Sequence, residues 1–425
     1  MFLVQQIYNE EIIQGYDKYI RSNNKKCDIF EKILKKSNVD IEWINKKQQP
    51  YNFRMSFSSG ITQINLYLSC VTYLGKPHPK YKKRMQLSDS ADRSFLEKDN
   101  THDNITLMIG LYLYDENNLI LVAWDSSSNK KAGKSKSSHV YTNDILLAAK
   151  NGVSQRKDKV GNNIYCFKPE YLNDFINYNY FYLEHQISFI EYLNEFNKDI
   201  DEYMFLDGIV DYLKEDLIGR NSVWDGKECL KEMKENNYRN WAQTEWQGFF
   251  LEYLMQRELR REESRIEQLL EIPGPRYGKT VFDSFYNIPW DFKVHVNDNN
   301  QIITNDMEAI ELALNDYGKI GFIILSGDAE KEVDREFSDW RNELKGGLSK
   351  NQLDNIAKKK KHRKLKTKFI PKEIKVITID SKGLTNHSLL RGLKNPNGNI
   401  RRDKLVINLD KLTEEEIILS ELLSD

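Results

Sequence analysis

Residues 281–296 of this 425-residue chain read VFDSFYNIPWDFKVHV, so two acids and a lysine lie among side chains that favour burial. The segments 280–286 and 290–296 are short and rich in β-branched and aromatic residues, which is typical of strands. Between them, Asn287 to Pro289 predict a turn. The sequence therefore predicts two adjoining strands that carry ionisable side chains.

Alternation along the second strand predicts that Asp291, Lys293 and His295 share one face, opposite a face of apolar residues. Asp283 lies on the neighbouring strand, so two carboxylates and a lysine are expected to meet. Mg²⁺ prefers a few carboxylates and several waters, which leaves positions for a phosphate oxygen and an attacking water. Lys293 could orient and help to deprotonate that water, or stabilise the pentavalent phosphate. The set predicts phosphodiester hydrolysis with Mg²⁺ as the cofactor.

The triplet of an acid, any residue and a lysine carries little information by itself. It also begins at other acids of the chain, namely Asp225, Glu232, Glu343, Glu373 and Asp380. Asp291 differs from these because strand alternation, an acid on the preceding strand and an upstream helix with glutamates accompany it. The alternative is that Asp291 and Lys293 form a salt-bridged pair with no catalytic role.

Residues 240–259, NWAQTEWQGFFLEYLMQREL, place apolar residues at i, i+3, i+4, i+7 and i+8, which predicts an α-helix. Glu245 and Glu252 are seven residues apart and are expected to share a flank of that helix, although two solvated acids are the alternative. Further along, Asn305 and Glu308 form a candidate capping box, and the apolar run KIGFIILSG predicts a buried strand. The resulting order is helix, strand, strand, helix, strand.

The segment from 240 to 326, with this order and motif, resembles the PD-(D/E)xK nuclease core, and the whole chain resembles a type II restriction endonuclease. The resemblance implies a Mg²⁺-dependent, sequence-specific endonuclease that cleaves double-stranded DNA in a restriction-modification system. The catalytic residues that it implies are Asp283 and Asp291 as the metal-binding acids, Lys293 as the lysine and Glu245 as the helix carboxylate. Two positions depart from the family pattern. Phe282 stands where a proline is usual, and the second acid is Asp rather than the commoner Glu.

The fold class predicted for the chain is α+β or mixed α/β, and the chain is expected to divide into three segments. Residues 1–48 are predicted to form a helical segment, because Val4, Ile7, Tyr8 and Ile12 are near helical spacing and CDIFEKILKK is amphipathic. Residues 49–172 alternate as strands do and form a β-rich domain, similar to the specificity domains ahead of nuclease cores and to the pseudobarrel of plant transcription factors. Residues 173–425 supply a helical lead-in and the catalytic domain.

The formal net charge of −1 excludes a bulk polycation that would coat nucleic acid or membrane, so DNA binding must depend on local patches. Two basic loops of the β-rich domain, GKPHPKYKKRMQ and DSSSNKKAGKSKSSH, are expected to face DNA, and solvated loops are the alternative. The basic run from Lys358 to Lys368 is either a phosphate clamp or a solvated loop. The predicted DNA contacts are Lys82, Lys83, Arg84, Gln86, Lys131, Lys134, Arg276 and Lys279.

Other features limit the class of protein. The four cysteines lack paired spacing, which argues against a disulfide framework or a zinc site, so they are expected to be reduced and buried. No basic leader and no apolar run of about 18 residues occurs, which predicts a cytoplasmic protein without a membrane partner. Cleavage of two strands favours a homodimer. The alternative functions are a non-catalytic DNA-binding protein and a nuclease that depends on base modification.

Overall fold

In the computed structural model of the protein, strands outnumber helices among the described residues up to position 170. The structure describes residues 3–57, 60–114, 118–126, 138–158, 161–183, 187–196, 198–259, 270–348, 353–354, 364–392 and 402–423. The chain divides into an N-terminal unit, Met1–Leu206, and a C-terminal unit, Asp207–Asp425.

The N-terminal unit contains both strands and helices. Its strands are β1 (Val4–Tyr8), β2 (Glu11–Gly15), β3 (Glu42–Asn45), β4 (Tyr51–Phe57), β5 (Gly60–Tyr73), β6 (Lys82–Met85), β7 (Asn104–Leu113), β8 (Leu119–Trp124), β9 (Ser138–Tyr141), β10 (Val153–Lys157) and β11 (Asn163–Phe167). Its helices are α1 (Asn23–Lys36), α2 (Thr142–Asn151), α3 (Leu172–Phe181) and α4 (Phe189–Glu195).

Within the described residues, nine of these strands form one sheet with the order β10-β11-β8-β7-β5-β4-β3, and β6 links β5 to β9. β5 runs parallel to β7, and the other pairs are antiparallel. Alternate residues of β5 enter two hydrophobic clusters: Leu66 packs with α1 and α3, whereas Tyr67 packs with α2. Both faces of the sheet are therefore buried, which explains the nearly continuous apolar sequence of β5.

The first fifteen residues correct the prediction of a helical N-terminus. Strands β1 and β2 form an antiparallel hairpin there, and Asn9 and Glu10 turn the chain with φ of 48° and 58°. Positive φ at both central residues matches the twist of the flanking strands in a two-residue hairpin. The predicted helix in CDIFEKILKK is confirmed as α1, whose N-cap Ser22 accepts a hydrogen bond from the Lys25 backbone N–H.

The C-terminal unit begins within α5 (Phe205–Gly219). Its other helices are α6 (Gly226–Glu235), α7 (Trp246–Leu259), α8 (Met307–Tyr317) and α9 (Glu336–Leu344). Its strands are β12 (Trp224–Asp225), β13 (Arg276–Tyr277), β14 (Thr280–Val281), β15 (Ser284–Tyr286), β16 (Ile288–Val296), β17 (Gln301–Asp306), β18 (Lys319–Lys331), β19 (Lys366–Asp380), β20 (Ser388–Leu390), β21 (Lys404–Asn408) and β22 (Ile417–Leu422).

Strand β16 lies inside a sheet that is six-stranded in the described residues, with the order β12-β19-β18-β16-β15 and β22 beside β19. β15 is antiparallel to β16, and β18 is parallel to it after the connection through β17 and α8. Helix α8 contributes Ile310, Ala313 and Leu314 to a core with Phe322 and Ile324 of β18. The predicted order of helix, strand, strand, helix and strand is present, with β13 and β17 as additional strands. The predicted strand 280–286 is divided into β14 and β15, and Asp283 lies between them.

The boundaries of the units differ from the predicted segments. Residues 1–48 are not a separate appendage, because Phe30 and Leu34 of α1 are buried in the same cluster as the central strands. The predicted boundary at 172 is also displaced, since Phe175 and Phe189 of α3 and α4 belong to that cluster and the first unit extends to Leu206. The α+β class is confirmed, whereas the likeness to a pseudobarrel and to a nuclease core stays a prediction.

The cysteines agree with the sequence-based expectation, because Cys27, Cys70, Cys166 and Cys229 are all free thiols and all buried. Burial raises the pKa of Cys27 to about 11, which leaves its thiol protonated and unreactive near neutral pH. None of the helices in the described ranges is both long enough and apolar enough to cross a lipid bilayer.

Candidate active site

The hairpin of β15 and β16 brings together the three residues that the motif predicts. Ser284 pairs with Trp290, and Asn287 turns the chain with φ of 59°, so Asp283 lies beside Asp291. The backbone N–H of Asp283 donates to Asp291 Oδ1 at 3.2 Å, and the backbone N–H of Phe292 donates to Asp283 Oδ2 at 2.8 Å. The two carboxyl groups are therefore held by main-chain hydrogen bonds of a short hairpin.

Asp291 is the centre of the site. Asp291 is only 1% exposed, and its Oδ2 accepts a hydrogen bond from Lys293 Nζ at 3.1 Å. Asn305 Nδ2 donates to the same oxygen. A buried carboxylate needs such donors because an unpaired charge away from water is costly. Lys293 keeps 19% of its side chain exposed, in contrast to the nearly enclosed Asp291.

The charges around Asp283 are unbalanced. Burial, and then the negative charge of Asp291, hold the pKa of the Asp283 carboxyl well above its usual range, against the opposing effect of Lys293. Burial by itself would lower the pKa of Lys293, but Asp291, Asp283 and Glu252 outweigh it and raise that pKa above its ordinary value. One lysine therefore faces a surplus of carboxylates.

The helix carboxylate next to this site is Glu252 rather than the predicted Glu245. Glu245 precedes α7, is exposed, and pairs with Lys366 Nζ at 2.9 Å. Glu252 lies within α7, its charge raises the pKa values of both Asp283 and Lys293, and Gln256 Nε2 donates to it at 2.9 Å. Glu245 lies just before α7, and Glu252 lies about 10 Å further along the helix axis, so the two carboxylates face different neighbours. Sequence spacing identified both candidates but could not choose between them.

Asn305 is a site residue that sequence reasoning missed. The predicted capping box at Asn305 and Glu308 is wrong, because α8 begins at Met307 with Asp306 as its N-cap residue. Asn305 belongs instead to β17 and reaches across to Asp291. The two residues are fourteen positions apart, and no local pattern in the sequence signals their contact.

A metal ion at this site would rely on few protein ligands. Across the described ranges, no group of three or more histidine, cysteine, aspartate and glutamate side chains is arranged to hold a metal ion. Asp283 and Asp291 nevertheless supply two adjacent carboxylates whose mutual repulsion a divalent cation would relieve. Mg²⁺ commonly binds one or two carboxylates and keeps several waters, so this donor set fits Mg²⁺.

The predicted DNA contacts occupy different environments. Lys83 is a correction, because it is fully buried and pairs with Asp17 at 2.6 Å, where it cannot meet a phosphate. Lys82 and Arg84 are half-buried on β6, and Gln86 is exposed just beyond that strand.

The remaining predicted contacts lie elsewhere in the chain. Arg276 and Lys279 are exposed on the hairpin of β13 and β14, which leads directly to Asp283. Lys131 and Lys134 lie outside the described residues, as does most of the basic run from Lys358.

Comparison with known protein families gives a match for one segment of the chain. Residues 62–176, which cover β5 to α3, match the model of the MTaX1 family, described as methylase-associated X1. No curated protein and no solved structure gives a significant match to the chain. The N-terminal unit is thus similar, over most of its central sheet, to a domain whose description links it to methylases.

Proposed function

We propose that the protein is a Mg²⁺-dependent endonuclease that hydrolyses phosphodiester bonds of double-stranded DNA as part of a restriction-modification system. The observation that carries this proposal is the meeting of Asp283, Asp291 and Lys293 on one hairpin, with the Lys293 ammonium 3.1 Å from Asp291 Oδ2. The likeness of residues 62–176 to a methylase-associated family supports the link to restriction-modification, since methylation of DNA is the other half of such systems.

Each side chain has a separate task in this mechanism. Asp283 and Asp291 would bind the cation, and Asn305 would hold the Asp291 carboxylate in its orientation. The bound cation would supply Lewis-acid chemistry at the scissile phosphate and an activated water. Lys293, partly exposed and kept protonated by its carboxylate neighbours, would donate to the phosphate oxygen that gains charge. Glu252 would add negative charge on the α7 side.

The partners follow from the same chemistry. The substrate would be duplex DNA, and a homodimer related by a two-fold axis would present one site to each strand. The exposed Arg276 and Lys279 lie on the hairpin next to Asp283, where they could contact the DNA backbone beside the scissile bond.

The second candidate is a DNA-binding protein without catalysis. The observation in its favour is that both oxygens of the Asp291 carboxylate already accept hydrogen bonds, from the backbone N–H of Asp283 and from the side chains of Lys293 and Asn305. A structural ion pair would look the same. Such a protein would bind DNA equally well with and without a divalent cation. A modification-dependent nuclease shares the chemistry of the first candidate and differs only in the DNA that it cuts.

The test is cleavage of long DNA, unmodified or methylated, by wild type and Asp291→Ala, each with Mg²⁺ and with EDTA. We expect discrete fragments from wild type with Mg²⁺ alone, and a loss on the order of 10³-fold for the variant, as for other electrostatic groups at a transition state. Asp339→Ala is the matched control, because Asp339 is an exposed acid on α9 that pairs with Arg335, and it should cut normally. Cleavage by Asp291→Ala, or intact DNA throughout with unchanged binding, would contradict the proposal.

A further inference from the structure

Strand β6 carries three consecutive basic residues that divide between its two faces. Lys83 points into the unit, where it is fully buried and pairs with Asp17 at 2.6 Å. Lys82 and Arg84 lie on the opposite face and are half-buried. The division follows from strand geometry, because successive side chains alternate between the faces of a sheet. One run of like charge therefore contains one structural lysine and two cations directed away from it.

Lys82 and Arg84 have no carboxylate partner in the described part of the chain, unlike Lys83. The ladder between β6 and β9 places His139 opposite Arg84 and Tyr141 opposite Lys82, so His139 shares their face. Burial, and then the positive charges of Lys82, His78 and Arg84, lower the pKa of His139 to about 4. The face therefore holds several basic groups and a local excess of positive charge.

The His139 ring adds an independent sign of an incomplete environment. Its Nδ1 is buried and has no hydrogen-bond partner among the described residues. A buried polar atom without a partner is uncommon in native proteins and often marks a place where a ligand or water belongs. In contrast, the backbone carbonyl oxygen of His139 has a partner, since it accepts a hydrogen bond from Trp124 Nε1 at 2.9 Å.

Hydrogen bonds fix β6 and β9 to each other where β6 begins and β9 ends. The backbone N–H and the hydroxyl of Thr142 both donate to the Tyr81 carbonyl oxygen, at 2.9 and 3.0 Å, and join the start of β6 to the end of β9. The rings of Tyr81 and Tyr141 meet edge to face at 5.5 Å. The two cations thus project from a fixed scaffold rather than from a free loop, which lowers the entropy lost on binding an anion.

On the basis of the DNA-directed function above, we propose that Lys82 and Arg84, with His78 and His139 beside them, form a binding site for a backbone phosphodiester group of duplex DNA. The forked donors of an arginine suit two phosphate oxygens, and a lysine adds a point charge. Such a contact positions DNA on the N-terminal unit without reading its sequence. It assigns to β6 the role of a phosphate anchor and leaves base recognition to other residues.

The test is binding of a short duplex to the full chain in EDTA, where cleavage cannot occur, across a series of salt concentrations. We expect Lys82→Ala/Arg84→Ala to bind more weakly than wild type at low salt. The slope of log K against log salt should become shallower by about 1, since each lost phosphate contact removes about 0.9. The matched control is Lys25→Ala/Lys32→Ala, which removes two exposed lysines from α1 of the same unit.

Equal affinity and equal slope for the two double variants would overturn the proposal, provided that both melt at the wild-type temperature. Failure of wild type to bind duplex at low salt would overturn it as well. If inorganic phosphate binds the wild type but duplex does not, the face is a small-anion site and the DNA assignment is wrong. DNA cleavage by Asp291→Ala would contradict the proposed nuclease activity but would leave the phosphate site on β6 unaffected. The two proposals can therefore be refuted independently.

Discussion

Two buried pairs of lysine and aspartate, one in each unit, look alike in geometry and differ in their surroundings. Lys83 and Asp17 lie 2.6 Å apart, and Lys293 and Asp291 lie 3.1 Å apart. In both pairs at least one side chain is almost completely removed from solvent. A contact distance by itself would assign both of them to the same class of ion pair.

The direction of the lysine pKa separates them. Burial lowers the pKa of Lys83 more than Asp17 restores it, as expected for one cation that faces one anion. At Lys293 the same effect of burial is outweighed by Asp291, Asp283 and Glu252 together. The first pair balances its own charge, whereas the second belongs to a group with surplus negative charge that a cation could neutralise.

Of the substitutions that test the difference between the two pairs, Lys83→Ala should have the largest effect, a loss of stability. Removing one partner of an enclosed pair leaves a buried charge, which costs about 3 to 5 kcal/mol. We expect the free energy of unfolding of the N-terminal unit, measured by urea denaturation, to fall by that amount. The exposed Lys32→Ala should change it by no more than about 0.5 kcal/mol. A loss below that of the control would mean that the pair is not structural.

A smaller effect should separate the two glutamates of the α7 region. We expect Glu252→Gln to slow DNA cleavage by about 10- to 100-fold and to raise the Mg²⁺ concentration needed, as for residues that support a metal site. Glu245→Gln removes an exposed ion pair with Lys366, and the variant should cut at nearly the wild-type rate. Cleavage rates measured over a Mg²⁺ titration would decide this, and the reverse order would restore Glu245 as the helix carboxylate.

The smallest effect concerns stability without metal. A carboxyl group whose folded-state pKa lies above its unfolded value stabilises the fold at acidic pH, and that contribution is lost as the pH rises through the folded-state pKa. Asp283 is such a group, because burial and Asp291 raise its pKa. In EDTA near pH 8 we expect Asp283→Asn to be more stable than wild type, because the asparagine carries no charge that burial and Asp291 disfavour.

Thermal melting at two pH values checks this sign. The advantage of Asp283→Asn should disappear near pH 4, where Asp283 is protonated in wild type. Addition of Mg²⁺ near pH 8 should stabilise wild type and leave the variant unchanged. A variant that is less stable at both pH values would show that the Asp283 carboxylate is not under repulsive strain.

Periodicity was the part of the sequence that predicted structure well. The alternation through Asp291 and Lys293 indicated a strand with ionisable side chains, and β16 is that strand. The helical spacing from Trp246 predicted α7, and Asn287 marked the turn between β15 and β16. These features depend on neighbours within a few residues, so a sequence contains the necessary information.

Short segments were less reliable when tertiary packing overrode their pattern. Val4 and Ile7 fit a helix by spacing, but both are buried in strand β1, where Gln5 and Gln6 between them are buried as well. Gln6 accepts a hydrogen bond from the hydroxyl of Tyr112 at 2.6 Å, a partner 106 residues away. Lys83 was misassigned for the same reason, since its partner Asp17 is distant in sequence.

The sequence by itself determined the class of elements, the ionisable residues on β16 and the pair of glutamates from which a helix carboxylate could come. Only the tertiary structure decided that Glu252 rather than Glu245 faces those residues and that Asn305 holds Asp291. It also decided which cation of β6 is internal. Local periodicity is written in neighbouring residues, whereas the pairing of charges depends on contacts between distant segments that form only when the chain has folded.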